Sequence, residues 1–265
     1  MTLRLDNCFE RLKLTNKKAL ITFLTAGDPN YDLSLELIKS LPEAGADIIE
    51  IGMPFSDPMA DGPAIQASSL RAINSGHKME KTFEMIESFR KDNSRTPIIL
   101  MGYFNPIYNY GVDSFIKKII EIEVDGVIVV DLPPEEDNEL CNALESADLS
   151  FIRLVTPTTN TDRLNKILQK TSGFLYYVSI AGITGSKRPE INEVETAVQE
   201  IKTKTNIPIG VGFGIRTKAD IERVGSFADG VIVGSVLVDI IKNNEHESSI
   251  KDKIVKKVTE FARAI

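Results

Sequence analysis

Glu50 stands in a short apolar run, flanked by Ile48, Ile49 and Ile51. Side chains alternate along a strand, so Glu50 shares a face with Ile48, opposite Ile49 and Ile51. If those two pack on helices, Glu50 points inward. Aliphatic surroundings raise a carboxyl pKa towards neutrality, where it can both give and take a proton. The competing reading is a structural ion pair. The one basic residue inside an expected strand is Arg153, and no Lys or Arg ends a strand. A second carboxylate, Asp131, follows the fourth expected strand.

The loop Met53-Pro-Phe-Ser-Asp-Pro-Met-Ala-Asp-Gly-Pro63 holds three prolines, which stiffen it by fixing φ. It carries Asp57 and Asp61 with no basic residue beside them. Asp61 either faces Glu50 as a second functional carboxylate or caps the helix that begins near Pro63. A further constellation consists of Gly182 and Gly185, Gly212 and Gly214, and Gly234-Ser235. Glycines let backbone N–H groups approach phosphate oxygens, and a helix N-terminus adds a favourable dipole. The stretch Ala181-Gly-Ile-Thr-Gly-Ser-Lys-Arg-Pro189 reads as a lid or as a plain long loop.

The missing residue types narrow the chemistry. The histidines are His77 and His246, both away from strand ends, which disfavours a zinc site or a His-based isomerase. No Lys lies within an expected strand, which disfavours a Schiff-base aldolase. No nucleophile elbow or phosphate-binding P-loop occurs. Acid/base work by carboxylates on a phosphate-bearing molecule remains.

The elements that must position these groups follow a regular order. Apolar runs at Ala19–Leu24, Ile48–Gly52, Pro97–Met101, Gly126–Val130, Phe151–Val155, Phe174–Ser179, Pro208–Gly212 and Gly230–Val233 predict eight strands. Each precedes a segment with helical spacing, such as Tyr31–Ala44, Ser114–Ile122 or Ile250–Ala262. The runs are continuous rather than alternating, which suits a parallel sheet buried on both faces. Eight such units in 265 residues predict an α/β fold, a (β/α)8 TIM barrel in one domain over residues 1–265. An extra N-terminal helix near Asn7–Leu12 would cover the barrel's bottom. An open doubly wound sheet is the competing architecture.

Composition excludes several classes. A net charge of −7, from 31 basic and 38 acidic residues, leaves no basic stripe for nucleic acid. No apolar run approaches the roughly 18–20 residues of a membrane span. Met1–Asn7 carries no apolar core of the kind a signal peptide needs. Cys8 and Cys141 give neither a metal spacing nor a disulfide framework. A soluble cytoplasmic protein with free thiols is the expectation.

The motifs Phe23-Leu-Thr-Ala-Gly-Asp-Pro29, Glu50-Ile-Gly-Met-Pro-Phe-Ser-Asp-Pro-Met-Ala-Asp-Gly-Pro-Ala-Ile-Gln66, Asp131-Leu-Pro, Gly182-Ile-Thr-Gly185, Gly210-Val-Gly-Phe-Gly-Ile215 and Gly234-Ser235 run through nearly the whole chain. In these the sequence resembles the tryptophan synthase α-subunit family. The resemblance implies retro-aldol cleavage of indole-3-glycerol phosphate to indole and glyceraldehyde 3-phosphate. It implies that Glu50 is the general acid/base and that Asp61 hydrogen-bonds the indole N–H. It implies a phosphate site at Gly185, Gly214, Gly234 and Ser235, with Thr184 on the lid. The implied indole pocket comprises Phe23, Ile128, Leu154, Tyr176 and Phe213.

The same resemblance implies a pyridoxal-phosphate β subunit in an α2β2 heterotetramer, reached through Pro54 and Asp57, with no cofactor or metal in this chain. Asn105–Tyr110 would add to that surface, unless its tyrosines pack into the core. Two departures stand out: Ile180, where some relatives carry Arg, and Met101, where Leu is common. Three alternatives stay open at this stage. They are a stand-alone lyase, a non-catalytic activator and another sugar-phosphate isomerase or epimerase.

Overall fold

Eight parallel strands form a closed barrel in the computed structural model, hydrogen-bonded in chain order with the last strand returning to the first. The structure describes residues 3–179, 190–212, 214–245 and 247–265. The open-sheet alternative is thereby excluded. The strands are β1 (Ala19–Thr25), β2 (Ile48–Gly52), β3 (Ile98–Gly102), β4 (Gly126–Val129), β5 (Ser150–Val155), β6 (Leu175–Val178), β7 (Ile209–Gly212) and β8 (Gly230–Val233).

The helices between them are α2 (Tyr31–Ala44), α3 (Pro63–Asn74), α4 (Met79–Asp92), α5 (Phe104–Tyr110), α6 (Val112–Glu121), α7 (Asn138–Ser146), α8 (Thr161–Gln169), α9 (Ile191–Lys202) and α10 (Lys218–Gly225). After β8 come α11 (Ser235–Asn243) and α12 (Ile250–Ala262), and before β1 comes α1 (Leu3–Leu14). Helix α5 is absent from the sequence pattern, which is too short there to show a period. Its Pro106 is tolerated because first-turn N–H groups have no intrahelical acceptor.

Alternation along the strands builds two cores. Leu20, Ile49, Ile51, Leu100, Val127 and Val231 face outward and pack under the helices. Ile21, Ile48, Ile99, Ile128, Ile152 and Ile232 fill the barrel. Helix α1 closes the bottom, where Leu5, Cys8 and Leu12 join the inner core and Phe9 meets the Phe174 ring at 5.9 Å.

The same end carries a repeated device. Asp47, Asp125 and Asp229 stand just before β2, β4 and β8. Their carboxylates accept the N–H of Leu20 (3.1 Å), Ile98 (2.8 Å) and Ile209 (2.9 Å) on the preceding strands. Each also meets a cation: Arg11 at 3.0 Å, Arg90 at 2.7 Å and Lys202 at 2.8 Å, respectively. These three aspartates therefore have structural partners.

Helix α3, which follows the proline-rich loop, is fastened to the end of β1. Ser68 Oγ lies 2.6 Å from Thr25 Oγ1. The Arg71 guanidinium donates twice to the buried Asp28 carboxylate, at 2.7 Å each. Removing the cation leaves a buried charge without its partner. Arg71→Ala is therefore expected to cost roughly 3 kcal/mol of unfolding free energy, read from denaturant midpoints.

Candidate active site

The carboxyl of Glu50 enters the barrel because β2 alternates. Ile49 and Ile51 are held in the outer core, and Ile48 lies in the inner one. Glu50 sits in register beside Phe23 of β1 and Ile99 of β3 and is fully buried. Among the described residues neither carboxylate oxygen has a hydrogen-bond partner. Burial alone pushes its pKa from the ordinary 4.5 up to about 8. Arg153 is not its counter-ion. It pairs with the buried Asp137 and lies over the Phe151 ring at 4.2 Å.

Asp61 reaches the same region from the loop after β2. A tight turn, closed by Asp61 N–H to Pro58 O at 3.0 Å, sets its backbone. Tyr103, just after β3, supports that turn twice. Its hydroxyl accepts the Ala60 N–H at 2.9 Å and donates to the Asp61 carboxylate. The Tyr103 ring is buried and packs on Phe55 at 5.3 Å between centroids. Burial raises the Asp61 pKa from 3.8 to about 6, with the Tyr103 hydrogen bond opposing the shift. The helix-capping alternative fails, because Gly62 is the N-cap of α3 and no side chain caps it. Both carboxylates lie within electrostatic reach of the Tyr176 hydroxyl and raise its pKa further beyond the effect of burial.

Aromatic walls and missing side chains shape the space around them. A Cβ on Gly212 would stand 2.8 Å from Tyr176 Oη, and one on Gly52 would stand 2.5 Å from Phe23 Cζ. Both rings thus come close against glycine backbone, and any larger residue would displace them. Phe23, Met101, Val130, Tyr103 and Asp61 line one cleft. Ile128, Leu154 and Tyr176 belong to the inner core beneath the same rim. Asp61 lines this mostly apolar cleft, and Glu50 lies buried in register with Phe23, one of its walls.

The phosphate candidates among the described residues, Gly214, Gly234 and Ser235, fall at the same end. Gly234 is the N-cap of α11, with Ser235 its first residue, and no side chain caps that terminus. Its first-turn N–H groups have no intrahelical acceptors by construction. Gly234 also lies against Phe23, so this helix start adjoins the aromatic wall. Gly214 takes a left-handed φ of 59° after β7. Gly182, Thr184, Gly185, Ile180 and Phe213, with the rest of the 181–189 stretch and His246, lie outside the described residues.

The remaining sequence candidates separate into different surroundings. Asp131 accepts the Phe104 N–H at 2.8 Å and so starts α5. Asp57 is exposed and takes a hydrogen bond from Ser56. Pro54 lines a surface depression of about 280 Å³ with Pro106, Asn109 and Tyr110. The two tyrosines of α5 split. Tyr110 packs edge-on against Phe83 at 5.4 Å, whereas Tyr108 is 61% exposed, as Met59 is at 71%. His77 is buried, bonded to Thr82 Oγ1 at 2.8 Å and held neutral by a pKa pushed down to about 4.

Among the residues that escaped the sequence reading are Tyr103, Val130 and Gln66. Tyr103 directly follows β3 and Val130 ends the apolar run of β4, and those positions were their signal. Among the described residues no cluster of His, Cys, Asp and Glu could hold a metal ion, and no helix is long and apolar enough to cross a membrane.

Comparison with known proteins agrees with this fold. The family model described as tryptophan synthase alpha chain matches residues 9–265. A crystal structure of tryptophan synthase subunit alpha from Legionella pneumophila str. Paris is 39% identical. That match covers 100% of this chain and 99% of that one, with a TM-score of 0.93. Mycobacterium tuberculosis tryptophan synthase is 32% identical over 100% of this chain and 99% of that one, with a TM-score of 0.90. Its aminoacrylate-bound form is 31% identical, covering 100% of both chains, with a TM-score of 0.89.

Proposed function

This chain belongs to the tryptophan synthase alpha chain family, and from that premise we propose that it cleaves indole-3-glycerol phosphate into indole and glyceraldehyde 3-phosphate. The observation that carries the reading is the buried carboxyl of Glu50, without a hydrogen-bond partner among the described residues and with a pKa raised to about 8, in register with Phe23 of the cleft wall. Protonated Glu50 gives its proton to indole C3, which breaks the aromaticity of the five-membered ring and places positive charge on its nitrogen. The Glu50 carboxylate so formed then takes the proton of the adjacent glycerol hydroxyl. The bond between indole C3 and the glycerol carbon breaks, an aldehyde forms, and its electron pair restores the indole. Glu50 ends the cycle protonated.

Asp61, ionised above about 6, accepts the indole N–H and stabilises the charge where it develops. Phe23, Ile128, Leu154, Tyr176 and Phe213 enclose the ring. Gly185, Gly214, Gly234 and Ser235 hold the phosphate through backbone N–H groups, and Thr184 belongs to the covering loop. The chain has no cofactor of its own on this reading. Pyridoxal phosphate belongs to a β subunit of an α2β2 assembly, which takes up the indole. Pro54 and Asp57 face that partner, and the exposed Met59 and Tyr108 beside them provide apolar surface for it.

The test is indole release from indole-3-glycerol phosphate by the purified chain, alone and with a β subunit. Slow release alone and strong stimulation by the partner are expected. Equal, fast release in both conditions would favour a stand-alone lyase. No release in either would end the lyase assignment.

A further inference from the structure

Asp61 reaches its position on a turn with no secondary structure of its own, so something must hold that turn in register with β2. Tyr103 does so from one side. The other side is held by Gln66 in the first turn of α3. Its side-chain amide donates to Asp61 O at 2.9 Å and reaches Pro58 O at 3.5 Å, the two ends of the turn. Pro58 O also receives the Asp61 N–H.

The helical neighbours of Gln66, Ile65 and Ser69, line the cleft with Asp61, and Gln66 does not. The helix beneath it is fixed to the end of β1 by the Ser68–Thr25 and Arg71–Asp28 contacts. Gln66 therefore transmits the position of a rigid element to the residue that carries the charge.

We propose that Gln66 is a positioning residue that sets the Asp61 carboxylate by clasping both ends of the Pro58–Asp61 turn from α3. The proposal rests on the role given to Asp61 above. A donor amide is required, because two carbonyl oxygens must be met from one side. A side chain of the same length without donors leaves the turn free to shift. Displacement of about 1 Å is enough to cost a large factor in rate.

The experiment compares Gln66→Met and Gln66→Glu with the parent and with Asp61→Asn, and adds the double variant Gln66→Met/Asp61→Asn. All are assayed in complex with the β subunit, with folding checked by thermal melting. Gln66→Met is expected to lower kcat about tenfold with KM held within about twofold. Gln66→Glu places a carboxylate beside the turn and is expected to move the acidic limb of kcat/KM upward by raising the Asp61 pKa.

In the Asp61→Asn background Gln66→Met is expected to cost nothing further, since its effect passes through Asp61. Full loss from both changes added together would overturn the proposal. So would a lowered Tm with unchanged kcat and pH profile. An unimpaired Asp61→Asn would instead remove the reading of Asp61 and the proposal with it.

Discussion

Glu50→Gln is expected to lower kcat for indole release by about 10³-fold, while KM for indole-3-glycerol phosphate changes little. The amide keeps the shape of the carboxyl and fits the same slot between Phe23 and Ile99. It cannot give a proton to indole C3, nor take one from the hydroxyl, so both steps of the cycle lose their agent. A loss of less than about tenfold would remove Glu50 from the chemistry.

The same substitution is expected to change stability in the opposite direction. Wild-type Glu50 ionises from about 4.5 in the unfolded chain but only above about 8 when buried. The folded state thus holds a proton that the unfolded state has released, and wild-type stability falls as pH rises through that window. Gln does not titrate. The difference in Tm between Glu50→Gln and wild type is therefore expected to move in favour of the variant from pH 5 to pH 8. A flat difference would mean that Glu50 is not buried as an acid.

Asp61→Asn is expected to lower kcat by about 10²-fold, the scale of one electrostatic group aimed at developing charge. It is also expected to change the shape of the pH profile. Productive free enzyme combines protonated Glu50 with ionised Asp61. Wild-type kcat/KM should therefore be bell-shaped, rising through about 6 and falling through about 8. Asn has no ionisation at that position, so the acidic limb near 6 should vanish and the alkaline limb remain. Persistence of the acidic limb in Asp61→Asn would assign it to another group.

The two carboxylates differed in how much of their setting the sequence carried. The inward placement of Glu50 was legible, because it follows from its own neighbours in the strand. Ile49 and Ile51 fix the outward face, and alternation sends Glu50 inward whatever the rest of the chain does. Asp61 could be read only as a choice between capping α3 and facing the cleft. Its decisive partner is Tyr103, whose hydroxyl meets the backbone of Ala60 from 43 positions away. No local pattern announces such a contact.

Arg153 illustrates the same limit. As the one strand cation it could have paired with Glu50, yet alternation in β5 puts it on the outer face against Asp137. The packing of α7, whose N-cap is Asp137, against β5 decided which carboxylate Arg153 meets. The tyrosines of α5 also divided between surface and core, a matter of which helix each one faces.

The sequence by itself determined the architecture, the inward placement of Glu50 and the end of the barrel at which chemistry is possible. These depend on period, run length and order along the chain, which are local or additive properties. Only the tertiary structure decided that Glu50 has no hydrogen-bond partner among the described residues, that Asp61 is held by Tyr103 and Gln66, and that Gly212 and Gly52 leave room for the rings of Tyr176 and Phe23. Those facts are distances between side chains on different strands and loops. They are fixed when the barrel closes and brings its strand ends together around one opening.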